Sequence, residues 1–255
     1  MLKALRPLAR RALGVERVPT YFLPWITRSG LECVLILSNI EARFKVGRNQ
    51  GPFPVAVCQY DADGSVVRRY EATLADVTDI VEMRVEPAPG GYGFVAVDVT
   101  RLQTDLYVTL SDGESYTVTH GRYEFIERYP LLARVVMAGL GGLLRLVGRT
   151  IPAFVRHQYA YGGPESRSHL LVLNLSNVAN HLRISASWEG RSLGARLVTL
   201  PPMGSRLLDI STLTPLSGPL AVQRLRLEGN AWFNLYVVGA GPRDLDGLLS
   251  LMHVK

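Results

Sequence analysis

Apolar and polar positions alternate over short stretches along most of this chain of 255 residues. Residues 55–60 run into Asp61-Ala62-Asp63-Gly64-Ser65, and residues 66–70 lead back. Two β-rich runs around an Asp-Gly turn predict a hairpin. Residues 94–99 and 106–110 follow as strands, Ser111-Asp112-Gly113-Glu114 as a turn, and residues 116–119 as another strand. In the second half, residues 182–188, 195–200, 220–227 and 232–238 have the same character. Short strands at spacings of about 8–12 residues, separated by turn signals, indicate a sandwich or barrel.

Two segments carry helical spacing instead. Residues 2–13 set Leu2, Leu5, Leu8, Ala12 and Leu13 against Lys3, Arg6, Arg10 and Arg11, with Gly14 as a stop. Residues 131–149, bracketed by Pro130 and Pro152, are apolar on most of the helical circumference, with Arg134, Arg145 and Arg149 on one narrow face. The longest uncharged stretch there, residues 135–144, is too short to span a bilayer.

The two halves look alike. Leu37-Ser38-Asn39-Ile40 matches Leu175-Ser176-Asn177-Val178, and Tyr21 matches Tyr159 at the same offset. Leu106-Tyr107-Val108 matches Leu235-Tyr236-Val237, Asp79-Ile80 matches Asp209-Ile210, and His120 and His253 each end the last strand of their half. Collinear matches at so long a period suggest duplication of a whole domain rather than a solenoid. The expected fold is therefore mostly β: two tandem antiparallel β-sandwiches, residues 18–130 and 152–255, from an internal duplication. A basic amphipathic helix over residues 1–17 precedes them, and an apolar helical linker over residues 131–151 joins them. The layout is similar to immunoglobulin-like repeats in general, although their Cys…Trp…Cys hallmark is absent.

Charge sharpens the picture. The net charge is +6. Residues 1–17 hold five basic side chains against one acidic, and residues 131–157 hold four arginines and no acid. An excess concentrated in two short segments suggests contact with an anionic surface. A nucleic-acid binder is more often basic across a whole domain face, so none is expected as partner. Cys33 and Cys58 read as apolar thiols in adjacent strands. The basic N-terminus lacks the apolar core of a secretory signal, so a cytoplasmic protein is expected, peripheral to the inner face of the membrane.

Catalytic signals are weak. Asp61-Ala62-Asp63-Gly64-Ser65 resembles the start of a calcium loop, but Ala72 stands where its final glutamate belongs. No close-spaced His/Cys signature, P-loop or nucleophile elbow occurs, and no cofactor or metal is expected. The leading expectation is a non-enzymatic interaction or scaffold protein that docks on an anionic membrane or a protein partner. Leu5, Leu8, Leu140, Leu143 and Leu144 would insert, and Arg6, Arg10, Arg11, Arg134, Arg145 and Arg149 would contact phosphates. A homo-oligomer is a further partner. Two alternatives stand beside it: a carbohydrate-binding sandwich using the aromatics Tyr21, Trp25, Tyr159 and Tyr161, and an enzyme with a site at the repeat interface around His120 and His157.

Overall fold

The computed structural model describes residues 11, 13–39, 52–76, 79–98, 106–162, 167–210, 221–241, 245 and 250–253. Leu5, Leu8, Arg6 and Arg10 lie outside the described residues, as do the other residues of 1–10 and residue 12 of the expected N-terminal helix. The described chain is mostly antiparallel β-structure with a single α-helix.

The first half contains β1 (Glu16–Ile26), β2 (Glu32–Ser38), β3 (Phe53–Tyr60), β4 (Val66–Leu74), β5 (Ile80–Arg84), β6 (Tyr92–Val97), β7 (Tyr107–Ser111), β8 (Tyr116–His120) and β9 (Arg122–Arg128). They form sheets of order β4-β3-β6-β1-β9 and β5-β2-β7-β8. Glu16 and Arg17, expected in the N-terminal helix, already belong to β1 because they pair with Arg128 and Glu127 of β9. Strand β3 alternates as the sequence implies: Phe53, Val55, Val57 and Gln59 are buried and Pro54 and Ala56 exposed.

Helix α1 (Leu131–Leu146) follows, then β10 (Phe154–Gly162), β11 (Arg167–Asn174), β12 (Asn180–Trp188), β13 (Arg191–Leu200), β14 (Ser205–Asp209), β15 (Ala221–Gly229), β16 (Phe233–Ala240) and β17 (Ser250–His253). Their order is β13-β12-β15-β10 and β14-β11-β16-β17, joined by one rung between Gly162 and Arg167. Strand for strand this repeats the order of β1 to β8. Register agrees at one edge: Tyr107 pairs with His120, and Tyr236 with His253.

Register also corrects two of the sequence matches. Ile36 pairs with Tyr107, and Leu171 with Tyr236, so Ile36 corresponds to Leu171. The offset of the Leu-Ser-Asn motifs would pair Leu35 with Leu173 instead, whose side chain faces the opposite side of its sheet. Leu175-Ser176-Asn177 in fact lies beyond β11, where it receives β9: Ser176 bridges Glu127, and Asn177 exchanges hydrogen bonds with the Tyr129 backbone (2.8 and 3.1 Å). Likewise Ile80 opens β5 opposite Ser38, whereas Asp209 closes β14 opposite His169.

Strand β11 is buried on both faces, which explains its unbroken apolar run. Leu170 and Val172 enter the core of the second half, and Leu171 and Leu173 enter the core of the first. Strand β16 splits in the same way, with Leu235 and Val237 on one side and Tyr236 and Val238 on the other. Phe22 of β1 meets Tyr236 edge-on, ring centroids 6.4 Å apart. The main core therefore runs continuously through both halves. Cys33 and Cys58, expected on adjacent strands, sit on β2 and β3 of different sheets as free thiols. Burial pushes the Cys33 thiol up to about 12.

Candidate functional site

Helix α1 starts after Pro130, whose carbonyl accepts from the Arg134 amide at 3.0 Å. It ends at Gly148, which takes φ +69° while the amides of Val147 and Arg149 cap the Leu144 carbonyl. Its inner stripe is narrow. Ala133 and Met137 pack with Tyr129, Val178, Ala231 and Val15. Gly141 brings the helix onto His181 of β12, so closely that a Cβ there would stand 2.6 Å from the imidazole Cδ2. Burial, and secondarily Arg145, lowers the His181 pKa. The His181 Nδ1 lies 3.1 Å from the Thr199 hydroxyl, and Thr150 donates to the His181 carbonyl at 2.5 Å.

The remaining circumference of α1 faces water, and it is apolar. Leu132 is 77% and Leu146 84% exposed, and Leu131, Val135, Leu140 and Leu143 are exposed as well. At 100° per residue the exposed leucines and valines centre opposite the inner stripe, and Arg134 and Arg145 stand at one flank. Both arginines and Arg149 are exposed. Leu144, expected to insert, is half-buried because it falls beside Gly141 on the packed side. Arg11 is exposed, and nearby Gly14 lies against Pro130 at the start of α1.

A helix normally turns such a face into the core. Here the sheet face beside the helix is polar, with His181, Arg183 and Glu228 on it, while Leu182 and Ile184 point into the core on the other side. The sheet's outer face offers the helix only His181 and its neighbours.

The other predicted residues do not converge. Trp25 is fully buried and its indole donates to the Tyr60 carbonyl at 2.9 Å; Tyr21 is buried in the same core. Tyr21 and Trp25 thus form the inside of the first sheet rather than an exposed stacking platform. Tyr159 is exposed on β10, whereas the Tyr161 hydroxyl packs against Gly239. His120, on β8, keeps Nδ1 3.0 Å from the Gly121 carbonyl, and His157 lies exposed on β10 in another sheet. Among the described residues no group of three or more His, Cys, Asp or Glu could hold a metal ion. The calcium-loop-like segment is a tight turn in which Asp61 Oδ1 accepts from the amides of Asp63 (2.9 Å) and Ser65 (2.8 Å).

Sequence reasoning missed one feature. The outer face of β13-β12-β15-β10 carries Arg183, Arg226 and Arg224 on successive rungs beside α1. Its signal was present in the alternation Arg224-Leu225-Arg226-Leu227, a half-buried strand with a basic outer side. Among the described residues no helix is long and apolar enough to cross a membrane. No protein family matches the chain, and no curated protein sequence matches it.

Proposed function

We propose that this protein is a non-enzymatic attachment module that docks on an anionic membrane surface through α1, lying in the plane of the interface. The observation that carries the reading is the outward apolar face of α1, flanked by arginines in a segment without any acidic residue. Apolar insertion and attraction of arginine to phosphates act together in such a helix. An anionic surface is favoured over an apolar protein groove because Arg134, Arg145 and Arg149 are exposed along a segment, residues 131–149, that contains no acidic residue. The body behind the helix is read as two immunoglobulin-like β-sandwiches, residues 18–130 and 152–255, descended from one by duplication. The repeated strand order and the paired Tyr-His rungs support that origin. The two free thiols favour a reducing compartment, and so the inner leaflet of a membrane facing the cytoplasm.

Co-sedimentation with phosphatidylcholine vesicles, with and without phosphatidylglycerol, tests the reading. Wild-type protein is expected to bind the anionic vesicles and to be released by salt. Leu132→Glu combined with Leu146→Glu should abolish binding, and Arg145→Gln should weaken it roughly fivefold, the effect of about 1 kcal/mol per basic residue. Wild type that sediments with neither vesicle, or glutamate variants that bind as well as wild type, would overturn it.

A further inference from the structure

The chain leaving α1 borders an open cavity of about 350 Å³. One wall is Val147, Gly148, Arg149, Thr150 and Pro152, and the other is Arg183 of β12 with Glu228 of β15. Arg183 and Glu228 are rung partners, 3.6 Å apart from guanidinium nitrogen to carboxylate oxygen. Arg226 reaches the other oxygen of Glu228 at 2.6 Å. One carboxylate therefore serves two guanidiniums, while Arg149 across the cavity has no carboxylate partner among the described residues. Arg149 and Arg183 on the walls outnumber Glu228, whose charge is already shared with Arg226 on the next rung, so the site is cationic.

The positive face continues along the sheet. Arg226 stands opposite Ser185 and His157, and Arg224 opposite Ser187 and Tyr159. Partial burial first, and then the Arg224 and Arg226 charges, lower the His157 pKa. Val147, on the cavity wall, is 67% exposed and follows Leu146, 84% exposed, at the end of the apolar helix face.

We propose that this cavity binds the phosphate of an anionic lipid headgroup, gripped between Arg149 and Arg183. The arrangement suits that ligand on three counts. Guanidinium forks match phosphate oxygens in pairs. Glu228 holds Arg183 in place without neutralising the site. A headgroup seated there has its acyl chains beside Leu146 and Val147, on the side where α1 inserts. The inference rests on the membrane reading of α1 and adds a headgroup site to it.

Two measurements on the full chain separate the ideas. In the first, vesicle binding is compared for wild type, Arg149→Gln with Arg183→Gln, and Leu132→Glu with Leu146→Glu. In the second, glycerol 1-phosphate and inorganic phosphate are titrated while arginine Nε–H resonances are followed by NMR. The expected result is a saturable shift at Arg149 and Arg183 with glycerol 1-phosphate, kept in the leucine variant and absent from the arginine variant. Affinity for anionic vesicles should fall roughly 30-fold in the arginine variant, fivefold for each charge. An arginine variant that binds anionic vesicles like wild type, while the leucine variant does not, overturns the site and leaves the membrane reading standing. Saturable phosphate binding with no vesicle binding by wild type overturns the lipid assignment and the membrane reading together. Because Arg149 is exposed, the single variant Arg149→Glu repeats the test without disturbing the fold.

Discussion

His181 shows how one residue is constrained by an element that sequence proximity does not reveal. Its ring is covered by Gly141 of α1, its Nδ1 faces Thr199 on β13, and Arg145 is the charge that acts on it. A histidine whose folded pKa is depressed is neutral in the native state. The unfolded chain, titrating near its ordinary value of about 6.5, takes up the proton first as pH falls. Stability is therefore undiminished by this group above about 6.5 and declines as pH drops through that value towards the lowered folded pKa. Urea unfolding at about pH 7.5 and about pH 5 should show a larger loss in wild type than in His181→Asn, which keeps a polar partner for Thr199. His157 titrates in both proteins and cancels. Equal losses would remove His181 as the cause. In the sequence His181 was only an isolated histidine, since its environment is supplied by residues 40 positions upstream and 18 downstream.

At the scale of elements, α1 was legible in its period but not in its orientation. Apolar residues surround most of it, so the pattern alone cannot say which side is packed. The glycines settle the matter. Gly141 is buried, whereas a Cβ at Gly139 or Gly142 would meet nothing within 4 Å. Gly139→Ala should raise stability by roughly 0.5–1 kcal/mol through helix propensity alone. Gly141→Ala must push the imidazole aside or lift the helix. It should lose about 1–3 kcal/mol, the usual range for overpacking. Chemical denaturation of the two variants checks the contrast, and equal effects would mean that α1 does not dock through Gly141. The strands were more readable: β3, β4, β12, β13, β15 and β16 each contain or overlap a stretch marked by alternation or a short apolar run, bounded by turn residues.

On the scale of the whole molecule, the two halves share a core and are also tied by polar contacts. The carboxylate of Glu124 on β9 contacts Arg122 at 2.9 Å, Arg156 of β10 at 3.5 Å and the Asn234 amide of β16 at 2.8 Å. The turn at Asp61 to Ser65 seats on the second half, with the Ser205 amide donating to the Ala62 carbonyl at 2.9 Å and Arg206 reaching Asp63 at 3.3 Å. A Cβ at Gly64 would run into the Pro202 carbonyl oxygen. Unfolding should accordingly be one transition, with tryptophan fluorescence, far-UV dichroism and calorimetry coincident. Glu124→Ala leaves a largely buried Arg156 without its carboxylate and should cost about 3–5 kcal/mol, lowering that single transition as a whole. Two separable transitions in the wild-type protein would contradict a shared core.

The sequence by itself determined the β class, most strand positions and the helix over residues 131–146. Each of these rests on local period and turn chemistry, which neighbours along the chain decide. Only the tertiary structure decided the register between strands, the burial of Trp25, the outward face of α1 and the placing of Arg149 and Arg183 on one cavity. Face and register depend on which surfaces remain available once two sheets have packed. A run such as Leu170-Leu171-Val172-Leu173 is apolar on both sides and names neither partner, until the core of the second half claims one side and that of the first half the other.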